Sequence, residues 1–249
     1  MTTTTTVLAD PPRGAARRVG FRSSFHLVLA LLMAGAVVYG FSRTIDDNLI
    51  HPRIPRPLLL YVHAVVFGAW IAIYVLQTAL IRTGGVRLHR RLGLAWLCIG
   101  AAIPFLGVST AIVMRRFDII HFHRTLQFLA IPLWDMLAFT PCFVLAALWR
   151  KRPEFHRRLM FLATCTLIDA GLNRFPLPDV WSNAGWFYFA IDSLVLIAIA
   201  RDLRVQHRVH PVFAIGMPLI VVGQVITWTL WQHPPAAWIG FCRILVGMG

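Results

Sequence analysis

One phrase recurs three times in this chain: His89-Arg90-Arg91-Leu92, His123-Arg124-Thr125-Leu126 and His156-Arg157-Arg158-Leu159, at intervals of 34 and 33 residues. Imidazoles ligate transition metals and carry protons near neutrality, so histidines at regular spacing invite both chemistries. Each copy opens an apolar run, and a fourth histidine, His63, lies inside the run that precedes the first copy. Taken singly, each phrase also has a plain reading. Arg and His are common where a span leaves a bilayer, where their side chains snorkel to the surface.

A second constellation is acidic. Asp135, Asp169 and Asp192 fall inside apolar runs, where a charge costs ~2.5 to 3.5 kcal/mol on insertion scales and so marks a role or a partner. Asp169 and Asn173 are one helical turn apart, with Thr166 on the same stripe. Counted from opposite ends of their spans, Asp169 and Asp192 come to similar depths. Sharing a proton, they would form a relay; set instead against Arg174 or a histidine Nδ1, Asp169 would be supporting structure. The four cysteines, Cys98, Cys142, Cys165 and Cys242, form no CxxC pattern and read as small apolar packers.

The elements that position these residues follow from composition. Hydrophobic residues make up 58% of the chain, charged residues 14%, and mean hydropathy is +0.68, values foreign to a soluble domain. The fold class expected is an all-α integral membrane bundle of about seven transmembrane helices, in the cell membrane. The net charge of +14 is spread over every loop rather than gathered in a basic stripe with interleaved aromatics, which excludes nucleic acid as a partner and points to anionic lipid headgroups. The single lysine, Lys151, lies between runs, so no span offers a Schiff-base lysine.

Residues 1–23 carry five threonines, two prolines and four arginines without apolar periodicity, a disordered tail. Spans are expected at about 25–41, 58–82, 92–114, 121–149, 157–174, 184–200 and 212–231, within a transmembrane domain of residues 24–231, and residues 232–249 as an interfacial tail. With the N-terminus inside, cytoplasmic segments hold 16 of the basic residues and outer segments 8, the bias that sets orientation.

Depth then sorts the histidines into two layers. His89 and His156 open the third and fifth spans from the inner side. His63, five residues into the second span, pairs in depth with His121 or His123 at the outer start of the fourth, His123 being preferred because it carries the phrase. Two imidazoles at matched depth on facing helices are what axial ligation of a haem iron requires. Gly93, Gly100 and Gly107 recur every seven residues near the face of His89 and would admit a planar ring. His63, Phe67, Trp70, Tyr74 and Gln77 share a face of the second span. Arg90, Arg91, Arg124, Arg157 and Arg158 stand where propionates would need cations. His26, His51, His207, His210 and His233 lie at run ends or in loops and are expected to be solvated.

Four histidines over four consecutive spans, paired second with fourth and third with fifth, resemble the transmembrane di-haem b-type cytochromes reduced by ascorbate. The segment Leu88-His89-Arg90-Arg91-Leu92-Gly93 is similar to the His-x-x-Leu-Gly opening of that family's third span, and also resembles bacterial multi-pass membrane proteins that carry an HRxLG phrase. The resemblance covers about residues 58–175, the four-helix histidine core. It implies two haem b groups, an inner one on His89 and His156 and an outer one on His63 and His123, carrying electrons across the membrane from a quinol or small-molecule donor, as a transmembrane oxidoreductase. The alternatives are a single haem or metal site, a proton-coupled transporter or channel built on Asp135, Asp169 and Asp192, and a cofactor-free membrane scaffold. Further copies of the chain, in a homo-oligomer, are an alternative to the monomer.

Overall fold

The computed structural model describes residues 21–178 and 185–248, which form helices and turns with no strand among them. The expected tail at 1–23 lies almost wholly outside the described residues. In chain order the helices are α1 (Phe21–Ser42), α2 (Leu58–Arg82), α3 (Val86–Phe122), α4 (Ala130–Leu148), α5 (Pro153–Cys165), α6 (Asp169–Leu172), α7 (Trp186–Gln206), α8 (Pro211–Gln232) and α9 (Ala236–Leu245). Five stretches are long and apolar enough to cross a membrane: Ser24–Ser42, Leu58–Arg82, Val86–Phe122, Leu126–Leu148 and Pro211–Gln232. The protein is thus an all-helical bundle of membrane-protein character.

Three expected spans differ in outline. The third is not confined to 92–114: α3 runs unbroken for 37 residues, about 55 Å at ~1.5 Å per residue, well beyond a ~30 Å hydrocarbon core. No Gly or Pro interrupts the stretch from Arg115 to Phe122, so the helix continues until His123 closes it in the left-handed region at φ 51°. His121 and His123 therefore end α3 rather than open the next span, which starts with a 3-10 turn at Leu126–Leu129 before α4. The fifth, expected at 157–174, is broken. Pro153 starts α5 at a position where its missing N–H is harmless, and the hydroxyls of Thr164 and Thr166 donate back to Met160 O and Ala163 O, bonds that bend helices. The chain turns at 166–168 and resumes as α6.

Helix α5 is the centre of the bundle. From Phe161 to Asp169 every residue is buried, because α4, α7 and α8 pack around it; its face meets protein rather than lipid and need not read as an apolar span. One core joins α1, α5, α7 and α8 through Met33, Phe161, Cys165, Phe187 and Phe213. A second fills the space between α2, α3 and α4 with Trp70, Ile103, Phe139 and Phe143. Helices α1 and α6 meet backbone to backbone, since a Cβ on Gly40 would fall on Gly171 O. The last segment is held down: Cys242 and Val246 of α9 and its flank bury against Leu129.

The two ends of the bundle differ in charge. Ser24, His26, Arg82, Arg157, Arg158, Arg201 and Asp202 gather at one end, where Arg82 donates to Ser24 Oγ (2.9 Å) and Arg201 lies over Phe25. Arg56, Asp118, Thr44 and Arg174 lie toward the other.

Candidate functional site

At the basic end, the starts of α3 and α5 bring His89 and His156 together. Their ring centroids are 6.4 Å apart and their planes cross at 78°. The two rings are held from behind. His156 Nδ1–H donates to Ala146 O on α4 (2.8 Å), which leaves Nε2 as the lone-pair nitrogen. On the other side, the Gln77 carboxamide of α2 turns its oxygen to the Gly93 N–H (3.1 Å) and its nitrogen to His89 Nδ1 (2.5 Å) and His89 O (3.3 Å). With Nδ1 accepting, the neutral His89 ring carries its proton on Nε2, and a metal bound there would take that proton's place. Metal–nitrogen bonds of about 2 Å on a linear path place two imidazole centroids roughly 6 Å apart, the spacing found here.

The surroundings of this pair suit a planar group with acidic edges. A Cβ on Gly93, one turn from His89, would meet only the Gln77 side chain, at 3.7 Å. Trp96 Nε1, two turns from His89, and Arg157 Nε are buried donors without a partner. Arg90 and Arg91 are exposed at the same end. Arg158 is not available: its guanidinium is already bound twice, as described below.

The expected outer pair is not brought together. His63 sits inside α2, stacked on Phe67 at 3.9 Å between ring centroids, with its Nδ1 buried and unpartnered. His123 is exposed beyond the end of α3, and Arg124 beside it is exposed as well. His121 Nδ1 donates to Phe117 O (2.9 Å), its ring stacked on Phe117. The glycine stripe leaves no slot either. A Cβ on Gly100 would fall 2.2 Å from the Phe143 ring and one on Gly107 2.1 Å from Met136 Sδ, so these glycines admit side chains of α4 and not a macrocycle. The ring spacing and unpartnered donors around His89 and His156 are what a haem would need, whereas His63 is held within α2 and His123 is exposed past the end of α3. Among the described residues no group of three or more His, Cys, Asp or Glu side chains is arranged to hold a metal ion.

The acidic residues regroup too. Asp135 of α4 and Asp169 of α6 are 8% and 4% exposed and close enough for their carboxyl groups to interact. The turn at 166–168 rotates Asp169 inward, where its Oδ1 also accepts the Ala170 N–H (2.6 Å). Asp192 goes elsewhere, accepting from Gln224 Nε2 of α8 (3.1 Å). Two neighbours escape sequence reasoning. Arg174, in the segment after α6, donates from NH1 to Ala170 O and from Nε to Thr44 Oγ1 (3.2 Å), with its guanidinium over Phe41 (4.2 Å). Tyr188 of α7 is buried, its hydroxyl without a partner.

A third polar group, at the basic end, is fully paired. Arg158 donates from Nε and NH2 to the two Asp202 oxygens, both at 2.7 Å, and from NH1 to Glu154 Oε2 (2.7 Å) and Glu154 O (2.8 Å). Burial opposes ionisation of Glu154, but the Arg158 and Arg157 guanidiniums outweigh it and hold the carboxyl below its ordinary value. His210, expected to be solvated, is buried and caps α8 by accepting the Val212 N–H at Nδ1 (3.3 Å). Burial, and then the charge of Arg158, push its pKa down. His26 is likewise drawn in, its Nε2 buried, because α1 starts against Arg157, Arg201 and Asp202. The signal for this network was Glu154 and Arg158 at i, i+4; Asp202, between two arginines at a run's end, gave none.

No protein-family model, curated protein or solved structure matches the chain.

Proposed function

We propose that the chain is a multi-pass electron carrier of the cell membrane, with seven passes and the basic end cytoplasmic, and that His89 and His156 would hold one haem b at that end. The observation that carries this reading is the pair itself: two crossed imidazoles at 6.4 Å, each fixed through Nδ1 by a neighbouring helix. Loop charge supports the orientation, since the segments at this end hold two thirds of the basic residues. Helices α5–α6 and α7 complete the seven passes. They fall outside the length and hydropathy pattern because α5 is wrapped by protein and α7 carries Asp192, Arg201 and Asp202.

Haem iron so ligated supplies one-electron chemistry whose potential follows its ligands and the local dielectric. The chain's own residues do the rest. Ala146 O and Gln77 hold the rings in place and set the basicity of the ligating nitrogens. Gly93 gives room beside His89. Arg90, Arg91 and Arg157, with the Trp96 N–H, supply donors for carboxylates at the rim. The bundle ends at this surface, so the donor, a quinol or small reductant, reaches the site from the cytoplasmic side. One haem replaces the two suggested by the resemblance, because His63 and His123 do not meet.

Absorption spectroscopy of protein expressed with ample haem tests this. A Soret band with reducible α and β bands is expected, abolished by either His89→Ala or His156→Ala and untouched by His63→Ala or His123→Ala. A colourless preparation, or a spectrum that survives both inner substitutions, overturns it.

A further inference from the structure

We infer that the groove between α4, α5 and α8 holds an acyl chain of one anionic phospholipid, whose phosphate sits on Arg150, Lys151, Arg152 and Arg208 at the groove's mouth. The site lies apart from the histidine pair and stands without it.

The groove follows from where α8 touches its neighbours. Gly223 lies against the indole of Trp134 on α4, with no room for a Cβ, and a Cβ on Gly216 would fall 2.7 Å from Leu162 Cδ1 of α5. Between these supports the α4 face that bears Ala138, Cys142 and Leu145 is left open, and a cavity of ≈ 550 Å³ lies along it. That is the size of a ligand site, ~300–1,000 Å³. Its walls run from Trp134 to Trp149 on α4 and from Pro211 to Ile226 on α8, about 22 Å of helix at ~1.5 Å per residue. No charged side chain and no hydroxyl is among the residues that line it. A polar ligand would be desolvated there without a partner, so the part that lies in the groove is hydrocarbon. The length of the groove suits a chain rather than a compact ring.

The mouth decides what the chain is attached to. Trp149 packs edge-on against Phe155 (5.1 Å between ring centroids) and Phe155 against His210 (4.6 Å). The end of α4 and the starts of α5 and α8 therefore meet at one point. Arg150, Lys151 and Arg152 follow Trp149 directly, and Arg208 stands three residues before Pro211. All four are exposed, and none has an ion-pair partner among the described residues. Arg150 spends one N–H on Ala147 O (3.1 Å). The nearby acid does not neutralise them, because Glu154 is bound by Arg157 and Arg158. Four uncompensated cations beside an apolar groove match an anionic head joined to a hydrocarbon tail. Trp149 stands between the two regions, where an indole spans apolar and wet surroundings.

Native mass spectrometry of the full chain in detergent, with dioleoyl phosphatidylglycerol or dioleoyl phosphatidylcholine added, tests this. Wild type is expected to retain one phosphatidylglycerol, with at least about tenfold preference over phosphatidylcholine. Lys151→Gln combined with Arg208→Gln, both exposed positions, should erase that preference. Arg43→Gln combined with Arg53→Gln removes the same charge from other exposed positions and should leave it intact. Leu219→Trp starts from a side chain 61% exposed on the groove wall, and its indole should weaken retention of both lipids. Soluble glycerol phosphate should not compete, since it has no tail. A wild type without preference, equal losses in the two charge variants, or retention unchanged in Leu219→Trp overturns the site. So does displacement by glycerol phosphate, or an isoprenoid quinone in place of phospholipid in an organic extract of the purified chain.

Discussion

Two buried charge clusters sit at opposite depths of this bundle, and they are built on opposite plans. In the cluster at the basic end, Arg158 and Asp202 are 1% and 2% exposed and bound by two parallel hydrogen bonds, with Glu154 satisfying another guanidinium nitrogen. Donors, acceptors and charges balance. In the other, two buried acids, Asp135 and Asp169, lie near each other with no ion pair of their own among the described residues, and on neighbouring helices the Tyr188 hydroxyl and His63 Nδ1 are buried without partners. A balanced network fixes geometry and resists any change of charge. An unbalanced one keeps capacity to bind a proton or water. The first is a clamp that joins α5 to α7, and the second is where chemistry can occur.

The sharpest way to break the contrast is Arg158→Leu. Removing one partner of a buried pair strands the other charge, so the loss should be about 3–5 kcal/mol, read as a large fall in the unfolding midpoint in detergent. Adding Asp202→Leu should recover most of it, since replacing both partners by apolar residues is often close to neutral. A double variant as unstable as the single one would show that the pair is not a closed unit.

The same substitution logic at the acid pair predicts a different outcome. Asp135→Asn keeps a donor toward Asp169 and removes no charge, so stability should change by less than about 1 kcal/mol. Asp135→Leu leaves the Asp169 carboxylate short of a partner and should cost about 1–3 kcal/mol. Equal losses for Asn and Leu would place an ionised carboxylate on Asp135 and erase the distinction between the clusters.

The all-helical bundle and its apolar membrane helices were legible in composition and in the spacing of the apolar runs. The acid pair was legible only as separate intramembrane acids. Asp169 finds Asp135 and not Asp192 because the helix breaks at Thr166–Ile168 and turns the side chain, an event that two threonine hydroxyls and the Gly40–Gly171 contact decide together. No pattern of apolar residues records it. The His63–His123 pairing failed for a related reason: depth was counted from a span boundary at residue 121, while α3 in fact runs through Phe122. His89 and His156 come within 6.4 Å of each other, ring to ring, because Gly84-Gly85 and Arg152-Pro153 start their helices where turn residues demand.

The Gly40–Gly171 contact is itself open to test, with an effect of the same size as Asp135→Leu. A Cβ on Gly40 would meet a backbone carbonyl, which cannot rotate away as a side chain does. Gly40→Ala must push α1 off α6 and should cost about 1–3 kcal/mol as overpacking, displacing Thr44 and with it the Arg174 Nε hydrogen bond. Gly35→Ala, on the same helix with nothing near its Cβ, is the control and should be neutral or slightly stabilising. Equal effects would mean that helix propensity, not the crossing, was being measured.

The smallest effect is on pH, and its sign separates the two clusters again. His210 at the basic end is favoured neutral in the fold, its pKa held below 6.5 by burial and by Arg158. Its contribution to stability is full above 6.5 and is lost as pH falls from there through the folded value. Glu154, held below its ordinary 4.5, contributes fully above that value and is lost as pH falls further, through its own folded pKa. Acidification should therefore loosen the basic end in two stages, first near α8 and then at the Arg158 clamp. Amide hydrogen exchange between pH 7 and 4 reads this: protection at Val212 to Ala214 should fall before protection at Arg157 to Leu159. His210→Gln, which keeps an acceptor for the Val212 N–H without a titrating ring, should remove the first stage and leave the second, whereas a first stage that persists in His210→Gln would assign it to another group.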